Sequence, residues 1–373
     1  MTARWEVRLL AVVVAVLCVV GVASVYGASS LLDGGQVGST FALRQAFGVV
    51  VGGLAASVLA RLDYRWWRAA AWPLIAVTGV LLLIPLLPFT GAIAPTFNGA
   101  RRWIQIAGLS FQPSELAKLA VVLWVAMLAA KKGDQIRTFR RGLLPVLAVV
   151  GPLVLMIFFE PNLSMAILTA LGAGVVLFAA GARIGHFLLL GAIAVPLLYG
   201  AVASAQYRLA RVLTFLNSGA APEEALSQVD QSLIGIGAGQ VFGVGFGQGQ
   251  QKLGYLPYAY SDFIFSTIGE EWGFVGVVAL AALFGTLIWL GARIARTAPD
   301  PFGALLAAGL TAMIGLAALL HIGVNLAVIP ATGIPLPFVS FGRSGLLVAL
   351  AATGILASIA QARGRRAPSR DGA

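Results

Sequence analysis

Apolar stretches of about twenty residues recur along this chain, and they leave little freedom in what it can fold into. They fall at roughly 9–27, 42–60, 70–88, 114–130, 143–159, 163–181, 186–204, 264–291, 303–326 and 344–362. Inside hydrocarbon every backbone N–H and C=O needs a partner within the protein, so only helices or closed barrels can cross. A barrel strand would alternate strictly over about ten residues, and these stretches do not. The composition agrees: 59% of residues are hydrophobic and 10% charged, with a mean hydropathy of +0.93, whereas soluble domains carry about a quarter charged residues. The expectation is one all-α integral membrane domain over 1–373 with about ten transmembrane helices. The first run, Leu9 to Val25, is longer than the roughly 7–15-residue core of a signal peptide and reads as an uncleaved first helix.

The net charge of +11 does not point to nucleic acid, because the basic residues stand in short runs between apolar segments, the pattern of membrane topology. With the N-terminus placed in the cytoplasm, seventeen of the 25 Lys and Arg residues fall on the inner side, and ten helices return the C-terminus and the basic tail 363–373 to that side. The eight exceptions are Arg44, Arg101, Arg102, Lys118, Arg208, Arg211, Lys252 and Arg343. Nine of the 14 acidic residues, among them Glu115, Glu160, Glu223, Glu224, Asp262, Glu270 and Glu271, share the outer side. Cys18 is the only cysteine, so no internal disulfide forms, and His186 and His321 are too few and too separated for a dedicated metal cage. No internal repeat supports an inverted-repeat transporter.

One connection is much longer than the rest, from Ala205 to Asp262 between the seventh and eighth helices, and long loops are often functional. It is rich in Gly and Gln, as in Phe242-Gly243-Val244-Gly245-Phe246-Gly247-Gln248-Gly249-Gln250. No strand–turn–helix unit surrounds these glycines, so a dinucleotide site is rejected, and close backbone approach to a ligand or lipid is expected. Asp262 precedes Phe263-Ile264-Phe265. Apolar neighbours raise a carboxyl pKa and suit a general base, but a helix N-cap would equally select Asp. Glu115 and Lys118, three apart at the start of the fourth helix, make a candidate intramembrane ion pair. Arg101 and Arg102 beside Trp103, with Arg208 and Arg211 on the long loop, are candidates for an anionic ligand, and Glu270 falls nearer the face of Asp262 than Glu271 does.

Six strings in order carry a resemblance: Asn98-Gly99-Ala100-Arg101-Arg102-Trp103-Ile104, Gln112-Pro113-Ser114-Glu115-Leu116-Ala117-Lys118, Tyr207-Arg208-Leu209-Ala210-Arg211, Leu256-Pro257 through Asp262-Phe263-Ile264-Phe265, Gly269-Glu270-Glu271-Trp272-Gly273-Phe274, and Gly333-Ile334-Pro335-Leu336-Pro337-Phe338. Together they resemble the SEDS family (shape, elongation, division and sporulation proteins: FtsW, RodA and SpoVE), and the run Gln250 to Pro257 is closer to the division type. The resemblance implies a ten-helix fold and a peptidoglycan glycosyltransferase that polymerises lipid II at the outer face of the bacterial cytoplasmic membrane. It implies a class B penicillin-binding protein and other division or elongation proteins as partners, the nascent glycan strand as the second substrate, and surrounding membrane lipid. It places Asp262 on the family's essential aspartate and Glu115 and Lys118 on its charged pair. Arg101, Arg102, Lys118, Arg208 or a divalent cation (Mg or Mn) would then stabilise the leaving pyrophosphate, with Arg211 and Glu270 as further substrate-binding candidates. Three departures stand out: Tyr260-Ser261 for His-Thr, Asn162 for a frequent Asp, and Arg343 where the family pattern has Gly. A lipid II transporter and a scaffold that activates the transpeptidase are the alternatives.

Overall fold

Among the described residues the apolar stretches are helical throughout. The computed structural model describes residues 2–29, 36–97, 99–106, 108–216 and 228–365; Asn98, Glu223, Glu224 and the basic tail from 366 lie outside them. In chain order the helices are α1 (Thr2–Ser29), α2 (Gln36–Arg61), α3 (Trp66–Leu86), α4 (Pro113–Lys132), α5 (Leu144–Phe159), α6 (Leu163–Ala179), α7 (Ile184–Ala203), α8 (Gln206–Leu216), α9 (Gln228–Ala238), α10 (Ile264–Arg296), α11 (Pro301–Asn325) and α12 (Arg343–Arg365). Nine of them are long and apolar enough to cross a membrane, and α6, with 17 apolar residues, stands at the short end of the spanning range. These ten correspond to the ten expected from sequence, and the chain is a multi-pass membrane protein.

Helix α4 is the centre of the packing. It starts where Pro113 follows an extended Gln112, carries Glu115 in its first turn and Lys131 and Lys132 in its last, and stops at Gly133 with φ +52°. Pro at the first position, acid at the start and base at the end each suit the helix termini. Its side chains pack against α3, α6 and α11, and buried Trp124 meets Trp72 edge-on at 5.2 Å. Helix α7 is the opposite case: none of its residues is buried within the protein, and its side chains are apolar all round, as suits a helix bathed in lipid.

The bundle has two chemically different ends. At one end the buried Glu6 of α1 receives Arg293 Nε of α10 at 2.6 Å and Arg363 Nη1 of α12 at 2.9 Å. At the same end Asp300 caps α11 by accepting from the Gly303 amide at 2.8 Å and takes the Tyr64 hydroxyl at 2.5 Å. The other end carries an antiparallel hairpin between α3 and α4, β1 (Ile104–Ile106) with β2 (Leu109–Phe111), turning through Gly108 at φ +78°.

The connection 205–262 is partly helical. It contains α8, α9 and a turn of 3-10 helix at Gln251–Leu253. Two of its glycines, Gly239 and Gly243, come close to the backbone of α10. Helix α10 is broken at Gly273, where φ is +67° and ψ −164°. Across the break Val244 N donates to Glu270 O at 3.0 Å, Gly245 N to Glu271 O at 3.2 Å, Phe274 N to Gln240 O at 2.9 Å and Val275 N to Val241 O at 3.1 Å. A Cβ on Gly239 would lie 1.9 Å from Gly269 O, and one on Gly243 would lie 2.2 Å from Glu271 O.

Gly239→Ala and Gly243→Ala should therefore lower the thermal midpoint in detergent by several degrees or abolish folding, since neither backbone can yield. Gly237→Ala, in α9 with no neighbour within 4 Å, should be neutral or stabilising by up to about 1 kcal/mol. Equal tolerance of all three would remove the packing explanation of the glycine run.

Candidate active site

The residues that lead into α10 set the position of Asp262. Tyr258, at φ +59°, turns the chain so that the amides of Ser261 and Asp262 both donate to its carbonyl at 3.0 Å. The N-cap of α10 is Phe263, and no side chain caps it. Of the two roles the sequence allows for Asp262, the cap is therefore not taken, and its carboxylate is left for other work.

Three elements fix this turn from behind. Asn325 at the end of α11 donates from Nδ2 to Asp262 O at 3.3 Å and to His321 O at 2.8 Å, and its Oδ1 accepts from Ser266 N at 3.1 Å. The Ser340 hydroxyl donates to Ser261 O at 2.6 Å, and Phe341 N donates to Tyr260 O at 3.0 Å. Phe41 of α2 packs on Tyr260 and Phe341 with ring centroids 4.8 and 4.9 Å away.

In front of Asp262 lies a cavity of about 450 Å³. Its walls include Trp103, Gln112, Glu115, Tyr260 and Arg343. Glu115 is buried and paired with Lys118 at 2.9 Å, as the spacing predicts. Only Glu115 reaches this cavity; Lys118 lines a small void behind it, of about 30 Å³. Gly345 leaves room for the pair, since a Cβ there would sit 3.4 Å from the Glu115 carboxyl.

The other predicted residues stand around the cavity rather than in its walls. Arg101 donates to Ala94 O at 2.9 Å, Leu87 O at 3.0 Å and Thr90 Oγ1 at 3.0 Å, stapling the connection after α3. Arg102 holds the end of α5 through Glu160 O at 3.2 Å and Pro161 O at 2.6 Å. Arg208 donates to Ala201 O at 2.9 Å and covers the Phe158 ring, and Arg211 donates to Ala331 O at 3.3 Å. Glu270 accepts from the amides of Gln250, at 2.6 Å, and Gln251, so it anchors the loop and does not face Asp262. Burial pushes the Asp262 carboxyl above the usual carboxylate range, while Arg211, the Ser261 hydroxyl and Arg102 pull it back.

Sequence reasoning did not select Gln112, Asn325 or Ser340. A lone Asn inside an apolar run was the available signal for Asn325, because an unsatisfied amide is expensive in a bilayer. Asn162, one of the departures, bridges α6 to the start of α4 by donating to Ser114 Oγ at 3.4 Å. Among the described residues no three of His, Cys, Asp and Glu converge to hold a metal ion. The carboxylates lining the cavity are Asp262 and Glu115, and Glu115 is already engaged. This donor set does not form a cage for a divalent cation.

The family model for the FtsW, RodA and SpoVE cell cycle proteins matches residues 7–365. A probable peptidoglycan glycosyltransferase FtsW of Geobacter sulfurreducens is 38% identical over 358 residues, covering 95% of each chain. Stage V sporulation protein E of Bacillus subtilis is 38% identical over 355 residues, covering 95% of this chain and 96% of its own. Among solved structures, a chain of a peptidoglycan synthase complex that coordinates polymerization and crosslinking superposes with a TM-score of 0.78 at 30% identity, covering 95% of this chain and 97% of that one. Thermus thermophilus RodA, a rod shape determining protein, gives 0.69 at 28% identity, covering 95% and 96%.

The carboxyl of Glu160 gives a test of the electrostatics beside the site. It is buried with neither oxygen hydrogen-bonded among the described residues, and burial raises its pKa to about 8 against the pull of Arg102. Between about pH 4.5 and 8 the folded chain keeps a proton that the unfolded chain has lost, so stability falls as pH rises through that window. Glu160→Gln should raise the thermal midpoint by a few degrees at pH 8 and leave it unchanged near pH 4.5. An identical pH slope in both proteins would show that Glu160 ionises as freely folded as unfolded.

Proposed function

The chain belongs to the FtsW/RodA/SpoVE family of cell cycle proteins, the SEDS proteins, and from that premise we propose that it is a peptidoglycan glycosyltransferase that polymerises lipid II with Asp262 as general base. One observation carries the reading: the Asp262 carboxylate neither caps a helix nor sits in an ion pair among the described residues, and it opens into a cavity large enough for part of a sugar substrate. Asp262 takes the proton of the acceptor sugar's 4-hydroxyl. The freed oxygen attacks the anomeric carbon of the donor, the bond from that carbon to the lipid diphosphate breaks, and its electron pair leaves with the diphosphate. An α-linked donor gives a β-1,4 bond by a single inversion, which needs one base and no covalent intermediate. Burial brings the Asp262 pKa toward working pH, where a base is most effective, and Arg211 and Arg102 keep the ionised form accessible.

The charge pattern supports a sidedness. Most Lys and Arg runs join helices at the end of the bundle that holds Glu6 and Asp300, and the cavity lies at the hairpin end. By the positive-inside rule the first end faces the cytoplasm with both termini, and the cavity opens outside the bacterial cytoplasmic membrane. There it meets the lipid-linked substrate and a growing glycan strand, and a class B penicillin-binding protein of the division or elongation machinery is the partner that would crosslink the product. The synthase complex among the related structures, which couples polymerization to crosslinking, is in keeping with that partnership.

The test is polymerisation of labelled lipid II by the purified chain with its transpeptidase. Asp262→Asn should fold and bind the partner but lose about 10²–10⁴-fold in rate. Normal polymer from that variant would end the base assignment, and lipid II translocation in liposomes without any glycan product would favour a transporter. The acid limb of the wild-type pH–rate profile should lie above the usual carboxylate range, and Arg211→Gln should move it to still higher pH, because Arg211 lowers the Asp262 pKa.

A further inference from the structure

Arg343 is a cation that the catalytic scheme above does not use. It stands in Phe341-Gly342-Arg343-Ser344-Gly345. It is the first residue of α12, and it lines the same cavity as Asp262. Two contacts hold it there. Its Nη2 donates to Ser110 Oγ of β2 at 2.9 Å, and the next residue, Ser344, accepts the Gln112 amide on its hydroxyl at 3.0 Å, which joins α12 to the hairpin and α4. Ser110 also lines the cavity.

The charge of Arg343 has no local counterpart. Among the described residues no carboxylate lies within ion-pair distance of it. Glu115, the nearby acid in the cavity wall, is neutralised by Lys118. Arg343 shares the cavity with the base. In an inverting displacement the base acts on one face of the donor sugar and the leaving group departs from the other, so a cavity that holds the base needs a second group for the leaving diphosphate. A guanidinium presents five N–H donors in a planar fork that matches phosphate oxygens in pairs, and a single hydroxyl accepts from it here. The Ser110 hydroxyl, having accepted from Arg343, still has its own proton to donate. The N-terminal dipole of the 23-residue α12 adds to the same positive field.

Resting on the glycosyltransferase reading, we propose that Arg343, oriented by Ser110, binds the diphosphate of the lipid-linked donor and takes up the negative charge that develops as the bond to the anomeric carbon breaks. Its ligand is the polyprenyl diphosphate product.

The experiment uses the full chain with its transpeptidase, lipid II as substrate, and undecaprenyl diphosphate and undecaprenyl phosphate as inhibitors of polymerisation. Arg343→Gly removes the side chain from the start of α12, and Arg343→Gln keeps the bulk without the charge. Both variants should raise the inhibition constant of the diphosphate about tenfold or more, as expected for losing a charged hydrogen-bonded pair, and lower kcat, with a smaller effect on the monophosphate. Arg343→Lys should recover part of the loss. Polymer from the wild type, with diphosphate inhibition unmoved in both variants, overturns the Arg343 assignment alone. A wild-type complex that binds lipid II yet makes no polymer overturns the glycosyltransferase reading and this assignment with it.

Discussion

The backbone crossing at Gly273 is the interaction on which the upper part of the molecule depends. A helix broken inside a bilayer exposes donors and acceptors that lipid cannot satisfy. Here residues 240–245 of the preceding connection supply the partners, bonding to the carbonyls of Glu270 and Glu271 and to the amides of Phe274 and Val275. The close approach requires glycine on both sides, which accounts for Gly239, Gly243 and Gly273 together. The first turns of α10 are thereby held in a fixed direction, and Asp262 sits immediately before them. A segment that resembles a flexible loop in sequence is in fact the clamp of the site's first helix.

Around Asp262 the balance is between burial and two arginines. Burial alone would make the carboxyl a weak acid, and Arg211 and Arg102 oppose this without forming an ion pair with it. Their hydrogen-bonding groups are engaged with main-chain carbonyls, Arg211 on Ala331 and Arg102 on Glu160 and Pro161. The same two side chains thus brace the loops and tune the base from a distance. Glu115 and Lys118 differ, because they pair with each other and Glu115 alone reaches the cavity wall.

The helices were legible in the sequence because hydrocarbon sets one length and permits one hydrogen-bonding solution. Asp262 was legible as a candidate, since an ionisable residue at an apolar boundary is either a cap or a functional group, and only the structure shows that Phe263 takes the cap position. The role of the arginines was less so: sequence shows that Arg101 and Arg208 carry charge, but not that carbonyls of Leu87, Ala94 and Ala201 stand ready to take their donors. Glu270 was misplaced for a related reason. Helical periodicity from Asp262 assumes that the helix includes it, and α10 begins only at Ile264 with a non-helical turn before it. The glycine run announced a close approach and could not name the surface approached. Arg343 was visible as an outer-side cation and as a departure; its contact with Ser110, more than two hundred residues away in the chain, was not.

The contacts of Asn325 have a consequence for how the chain comes into being. The turn that carries Asp262 is tied to the end of α11 by that one amide, to Ser340 and Phe341 beyond it, and to a cavity whose wall includes the start of α12. During synthesis the earlier helices enter the membrane first, and Asp262 emerges with none of these supports yet made. The site is consequently assembled last, when the final helix comes to rest against α2. Until then the nascent chain is a membrane protein without a workplace, and chemistry on its substrate cannot begin before biogenesis is complete.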